Sequence, residues 1–71
     1  MISYAKLWET MKNRGITQYT LIHKYKVSAG QLTRFRENQH VSTHTLEMFC
    51  EILDCKIEDI VEYIPDKKSD H

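Results

Sequence analysis

The stretch that decides the fold is TQYTLIHKYKVSAGQLTRFREN, which runs from Thr17 to Asn38. Thr17 and Ser28 belong to the residue types that cap helix N-termini, and apolar residues follow each of them at helical spacing. The stretch therefore predicts two short helices joined by a tight turn, with an apolar inner face and a polar, basic outer face.

The residues on either side continue this helical pattern. They predict a first helix capped by Ser3 and closed by Gly15, a fourth capped by Ser42, and a fifth from about Lys56 to Tyr63. We therefore expect an all-α fold of five helices. The apolar positions expected in its core are Tyr4, Leu7, Trp8, Met11, Leu21, Ile22, Tyr25, Val27, Leu32, Phe35, Leu46, Phe49, Cys50, Ile52, Leu53, Ile57, Ile60 and Val61.

The two ends of the chain leave an alternative open. Met1–Tyr4 and Glu62–Ile64 have some β-propensity and could pair as a short two-stranded clasp. Pro65 follows the last apolar position as a stop signal, so we expect one domain over residues 1–65 and a flexible polar tail over residues 66–71.

The length and composition exclude several classes of protein. A chain of 71 residues forms one small domain that cannot enclose a deep pocket, which argues against an enzyme. No apolar run reaches the roughly 18 residues of a membrane span. The N-terminus, MISYAKLWETMK, lacks the order of a signal peptide, so we expect a cytoplasmic protein with reduced cysteines and no membrane partner.

The charge is divided unevenly along the chain. Residues 1–38 carry seven Lys and Arg against two Glu, a net charge of +5, and residues 39–71 carry three Lys against eight Asp and Glu, a net charge of −5. The basic half contains the two-helix segment, and a braced pair of helices can carry side chains into the major groove of DNA. We therefore expect double-stranded DNA as the partner.

The second helix of the pair is the predicted reading helix. Leu32 and Phe35 lie on one face and must point inward, which leaves a set of small and polar residues to face the bases: Ala29, Gly30, Gln31, Thr33 and Arg34. Arg34 can bridge O6 and N7 of guanine, Gln31 can contact adenine or a phosphate, and Thr33 can meet a thymine methyl. The alternative for Arg34 is a surface ion pair with Glu37, three residues further on.

Phosphate contacts are expected around this helix. The amide of Gln18 and the free N–H groups of the preceding helix's first turn can face a phosphate together, although Gln18 can equally be a solvated first-turn residue. The full set of residues expected to contact phosphates is Thr17, Gln18, Ser28, Arg36, Asn38, Gln39 and His40.

These residues resemble a known family. Thr17–Leu21, Val27–Ser28, Leu32 and Phe35 are similar to the helix-turn-helix of the Cro/C1 (XRE-type) repressors, and Val41–Tyr63 resembles the fourth and fifth helices of a compact bacterial and phage subgroup. The resemblance implies a five-helix lambda-repressor-like domain, sequence-specific DNA binding and transcriptional regulation, often as a dimer.

Two positions depart from the family pattern. Ile22 stands where the family usually has a small residue, and Lys26 stands where it usually has glycine in the turn. A lysine at positive φ costs about 1 kcal/mol relative to glycine. These departures affect the crossing angle of the two helices, and with it the assignment of the family's individual DNA contacts to residues of this chain.

Other chemistries fit the sequence less well. Cys50 and Cys55 are separated by four residues and flank apolar positions, so together with His40 and His44 they make a poor zinc motif. We expect no metal, cofactor or small-molecule ligand. The aromatic residues fall at core spacing, so we also expect no base-stacking platform.

The sequence as a whole favours a small transcriptional regulator that represses by occluding a promoter. One reading helix covers a short half-site, so we expect a homodimer whose interface uses Val41, Met48, Tyr63 and Ile64. The alternative is a helical protein–protein interaction module, for example antitoxin-like, that keeps the fold without reading DNA strongly.

Overall fold

The computed structural model describes residues 1–65, and the predicted polar tail lies outside the described residues. In chain order the elements are β1 (Ile2–Ser3), α1 (Ala5–Arg14), α2 (Gln18–His23), α3 (Ala29–Arg36), α4 (Thr43–Leu53), a 3₁₀ turn (Ile57–Asp59) and β2 (Glu62–Tyr63). The first four predicted helices are present, in the predicted order.

The predicted helix boundaries have direct physical causes. Thr17, Ser28 and Ser42 each accept a hydrogen bond on Oγ from the backbone N–H three residues further on, at 3.1, 3.2 and 3.1 Å. Each therefore satisfies one of the unpaired donors of a helix start. Gly15 closes α1 with φ of 71°, a left-handed conformation that favours glycine. These four predictions are confirmed.

The start of α1 differs slightly from the prediction. Tyr4, not Ser3, occupies the N-cap position, and its side chain makes no capping hydrogen bond. The Ser3 hydroxyl still accepts a hydrogen bond from the N–H of Ala5 at 3.2 Å. Ser3 therefore contributes to the helix start from one position further out, because its own backbone belongs to a strand.

The chain ends form a two-stranded antiparallel sheet, so the fold is mostly helical and not all-α. Ile2 is opposite Tyr63 and Ser3 is opposite Glu62. The N–H of Ile64 donates to the carbonyl of Met1 at 2.8 Å. The clasp that the sequence left as an alternative is therefore present.

The predicted fifth helix is reduced to the 3₁₀ turn Ile57–Asp59. The N–H of Lys56 donates to the Asp59 carboxylate at 3.0 Å, which caps a single turn. The segment cannot continue as a helix to Tyr63 because its last residues pair with β1. Ile57, expected in the core, is consequently 47% exposed, whereas Ile60 is completely buried.

Phe35 lies at the centre of the core. Its ring contacts Tyr4 edge-on, with centroids 4.7 Å apart, and Phe49 of α4, also at 4.7 Å. This packing fixes α3 between the start of α1 and the middle of α4. The buried apolar residues are Tyr4, Leu7, Met11, Leu21, Val27, Leu32, Phe35, Leu46, Phe49, Leu53 and Ile60.

Candidate nucleic-acid interface

Helix α3 buries one face and exposes the other. Leu32 and Phe35 are buried, as predicted, while the base-facing candidates Ala29, Gly30, Thr33 and Arg34 are exposed and Gln31 is half-buried. Eight residues thus form a helix that is held by two large apolar side chains and presents its polar side to solvent.

The turn between α2 and α3 accommodates the two departures noted in the sequence. Lys26 adopts φ of 61°, the left-handed conformation for which glycine is usual, and its side chain points into solvent. The next residue, Val27, is buried and donates its N–H to the carbonyl of Leu21 at 2.9 Å. Ile22 packs against the edge of the core. The backbone therefore makes the turn between α2 and α3 with lysine in the left-handed conformation.

A side-chain hydrogen bond joins the exposed surfaces of α2 and α3. The guanidinium of Arg36 donates to the amide oxygen of Gln18 at 2.9 Å. Two residues expected at the phosphates are therefore brought together from 18 positions apart in sequence. The amide oxygen of Gln18 accepts from Arg36, so the group of Gln18 that remains for a phosphate is its NH₂ donor.

Arg34 and Gln31 also contact each other. The guanidinium of Arg34 donates to the amide oxygen of Gln31 at 3.2 Å, and the amide nitrogen of Gln31 donates to the Thr45 hydroxyl on α4 at 3.1 Å. Glu37, the alternative partner of Arg34, accepts instead from the Gln39 amide at 2.7 Å. Arg34, which the sequence predicts to face the bases, therefore pairs with a neutral amide.

The hydroxyls among the predicted contacts are already used within the protein. Those of Thr17 and Ser28 cap α2 and α3, and that of Thr33 donates to the carbonyl of Ala29 at 3.1 Å. Because the hydroxyl proton of Thr33 is directed at its own helix, its methyl group is the part left for contact with a base.

Asn38 has a structural role that the sequence did not reveal. It adopts φ of 56°, and its amide oxygen accepts a hydrogen bond from the N–H of Tyr4 at 3.0 Å. This contact ties the end of α3 to the start of α1. The signal available in the sequence was an asparagine directly after a helix, since asparagine tolerates the left-handed conformation better than most residues.

Gly30 is not required by the fold. A Cβ atom at this position would meet only the Ser28 hydroxyl, at 3.9 Å, which is ordinary van der Waals contact. Glycine in a helix is less favourable than alanine by about 0.8–1.0 kcal/mol. Packing within the protein therefore does not require glycine at this position. Any requirement for it would come from a partner that contacts the exposed face of α3.

Two aromatic side chains are exposed, and of these Tyr19 departs from the expectation that the aromatic residues fall at core spacing, whereas Tyr63 was expected outside the core. Tyr19 is 71% exposed and Tyr63 is 65% exposed. Tyr19 follows Gln18 in α2 and its ring lies 4.1 Å from that of His23. Helix α2 is only six residues long and fully buries Leu21 alone, with Ile22 at the edge of the core, so Tyr19 on its outer side stays exposed.

His40 lies apart from the α2–α3 surface features described above. It is exposed and borders an open apolar groove beside the two-stranded sheet, whose other lining residues are Ile2, Tyr4, Val41, Leu46 and Val61. The acidic residues of the 3₁₀ turn belong to a segment that packs against α1 and α4.

The two cysteines are half-buried free thiols at the end of α4. The N–H of Cys55 donates to the carbonyl of Cys50 at 3.1 Å. Burial is the main cause that raises the pKa of both thiols, and the nearby Asp59 carboxylate adds to it. Within residues 1–65 no cluster of three His, Cys, Asp or Glu side chains could hold a metal ion. No helix in this part of the chain is long and apolar enough to cross a membrane.

Comparison with known proteins agrees with this geometry. The Cro/C1-type HTH DNA-binding domain matches residues 6–66. A similar solved structure, the crystal structure of the transcriptional regulator VanUg, superposes with a TM-score of 0.80 at 32% sequence identity, covering 92% of this chain and 87% of that one. A search of curated proteins finds no match.

The matched residues include both helices of the two-helix segment, the lysine turn between them and the exposed face of α3. With four helices in the expected order and a solved structure that superposes over most of its length, this chain belongs to the Cro/C1-type helix-turn-helix DNA-binding family.

Proposed function

We propose that this protein is a sequence-specific transcriptional regulator that inserts α3 into the major groove of double-stranded DNA and represses by occluding a promoter. The observation that carries the proposal is the division of α3 into a face anchored by Leu32 and Phe35 and an exposed face bearing Arg34. Membership of a DNA-binding family supports it.

In this proposal the contacts have two kinds of role. Arg34 reads a base edge, because a guanidinium can donate two hydrogen bonds to guanine. Gln18 and Arg36, joined at 2.9 Å, contact the phosphate backbone from the junction of α2 and α3. Thr17, Ser28 and Gln39 border the same two helices and remain proposed phosphate contacts, while Ala29, Gly30, Gln31 and Thr33 complete the base-facing surface.

The experiment that tests the proposal compares two variants on a duplex obtained by in vitro selection and on a scrambled duplex of equal length. Arg34→Ala should weaken binding to the selected duplex by about 1–3 kcal/mol and leave the scrambled duplex nearly unchanged. Gln18→Ala should weaken both alike. Lys56→Ala, which removes a positive charge beside the 3₁₀ turn, is the matched control and should change neither.

Salt dependence provides a second measurement. A protein that neutralises Z phosphates with Lys and Arg loses affinity with a log–log slope of about −0.9Z, so Arg36→Ala should lower that slope by about 1, whereas the neutral change Gln18→Ala should leave it nearly unchanged. Equal loss of selected and scrambled binding in Arg34→Ala would refute base contact by Arg34. If no duplex bound at low salt, a helical protein–protein interaction module would be the better interpretation, and the exposed side chains of Met1, Tyr63 and Ile64 favour that second candidate.

We further propose that the protein acts as a homodimer, because one α3 reads only a short half-site. Two-fold symmetry would place the two reading helices one DNA turn, about 34 Å, apart. The proposed interface combines the exposed Tyr63 and Ile64 with the half-buried Val41 and Met48. Analytical ultracentrifugation at high micromolar concentration, with and without the selected duplex, tests it. A monomer on DNA and off it would refute the homodimer.

A further inference from the structure

The polar contacts at the start of α3 continue into α4 as a chain of hydrogen bonds. Arg34 donates to Gln31 at 3.2 Å, Gln31 contacts Thr45 at 3.1 Å, and the Thr45 hydroxyl lies 3.1 Å from that of Ser42. Thr45 is a buried polar residue, whereas Arg34 is exposed. The chain therefore connects the buried Thr45 in the first turn of α4 to the exposed surface of α3.

The chemistry of Arg34 and Gln31 fixes the direction of the first two hydrogen bonds. A guanidinium has donors and no acceptor, so Gln31 must turn its oxygen to Arg34 and its NH₂ group to Thr45. The Thr45 oxygen then accepts from Gln31, and in the contact between the Thr45 and Ser42 hydroxyls either group can be the donor. Ser42 also accepts from the N–H of Thr45 at 3.1 Å. Every group in the chain has a hydrogen-bond partner. If the Gln31 amide were rotated by half a turn, its NH₂ group would face the guanidinium of Arg34, and two donors would meet without an acceptor.

We propose that Thr45 and Gln31 are positioning residues that fix Arg34 for base readout, so that the cap of α4 helps to set sequence discrimination by α3. The relay, defined here as Ser42, Thr45, Gln31 and Arg34, restricts a long side chain before DNA arrives. Ordering such a side chain on binding lowers the affinity, and prior restriction reduces that cost. Gln31, which also belongs to the base-facing surface, acts here through Arg34, and the buried Thr45 acts only in this indirect way. The inference rests on the proposed function, since it concerns how Arg34 reads DNA.

The test uses three variants of the full chain. Thr45→Val keeps the shape of the side chain and removes the hydroxyl, and Gln31→Met keeps the length of the side chain and removes the amide. Thr10→Val is the matched control, because the Thr10 hydroxyl also donates a hydrogen bond, at 2.7 Å to the carbonyl of Asp59, but lies outside the relay. Gln31 is half-buried, so Gln31→Met remains informative if Thr45→Val fails to fold.

The first measurement needs no DNA. The ¹⁵N relaxation of arginine side chains should show a lower order parameter for Arg34 in Thr45→Val and Gln31→Met, with no change in Thr10→Val. Arg36 is an internal control, because its partner Gln18 lies outside the relay. Thr45→Ser retains a hydroxyl and should restore the order of Arg34.

The second measurement is the ratio of affinities for the selected and the scrambled duplex. Each of Thr45→Val and Gln31→Met removes a hydrogen bond that helps to position Arg34. The affinity ratio should therefore fall about three- to tenfold in both variants, with the salt slope unchanged. An unchanged order parameter for Arg34, or an unchanged affinity ratio, would overturn the role of the relay. Failure of the wild-type protein to bind either duplex would overturn the proposed function itself, whatever the order parameters show.

Discussion

Asn38 offers the sharpest test of how α3 is held. Its amide oxygen accepts a hydrogen bond from the N–H of Tyr4 at 3.0 Å, and Tyr4 is only 3% exposed. Its φ of 56° lies in the left-handed region. Substitution therefore acts on two separate quantities, a buried backbone donor and a backbone conformation.

The two contributions can be separated with three substitutions. Asn38→Gly removes the acceptor and keeps the conformation, so it should lower the free energy of unfolding by about 1–3 kcal/mol, the cost of an unpaired buried donor. Asn38→Ala also forces a residue with a β-carbon into the left-handed conformation, which should lower the free energy of unfolding by about 1 kcal/mol more. Asn38→Asp retains an acceptor oxygen and should lose least. For a domain of this size each kcal/mol lowers Tm by roughly 4–8 °C.

Urea unfolding followed by circular dichroism measures these differences, and duplex binding by the folded proteins completes the assay. We expect the order Asp, Gly, Ala in increasing loss of stability, with little change in affinity for DNA. The sequence alone predicts that Asn38 contacts a DNA phosphate. If Asn38→Gly left stability unchanged and weakened binding to every duplex alike, the phosphate contact would be right and the structural role wrong.

Three further predictions concern single features of the fold. Gly30→Ala should raise the free energy of unfolding by up to about 1 kcal/mol, since the added Cβ has space, and should weaken DNA binding if the backbone approaches the duplex closely; unchanged affinity would contradict that approach. Lys26→Gly should stabilise the protein by about 0.5–1 kcal/mol by relieving the positive φ, as measured by urea unfolding, and a loss of stability would show that the turn favours lysine. Because burial raises the pKa of the Cys50 and Cys55 thiols above 9.0, the folded state retains protons that the unfolded chain has lost, so stability should fall as pH rises above about 9. Unfolding at pH 8 and pH 10 should show a smaller fall in a variant with alanine at both cysteines.

The helices could be predicted from the sequence because their signals are local. A cap such as Ser28 lies within three residues of the N–H that it satisfies, and the apolar spacing of Leu32 and Phe35 repeats within one helical turn. The reduction of the expected fifth helix to a 3₁₀ turn could not be decided in this way. The last residues of that segment pair with β1 at the opposite end of the chain, and the β-propensity of the two ends allowed this pairing without deciding between it and a helix.

The same distinction applies to the candidate interface. Because Leu32 and Phe35 had to lie on the buried face of α3, the residues of its exposed face could be predicted. Arg34 could therefore be identified from the sequence alone as a candidate DNA contact. The partners of these residues could not, because Gln18 meets Arg36 across 18 positions and Asn38 meets Tyr4 across 34. Residue types predict which groups can bind DNA. Tertiary contacts determine which of those groups are already occupied.

These contacts imply that the presentation of α3 is a property of the whole domain. Phe35 fastens the helix to Tyr4 and Phe49, Gln31 joins its start to α4, and Arg36 joins its end to α2. Contacts from three sides thus hold α3, and few large apolar contacts are available on a helix of eight residues. A substitution far from the exposed face can consequently alter DNA recognition while the domain stays folded. Variants that keep stability but change the affinity ratio should therefore concentrate at the side chains that touch α3 from the outside.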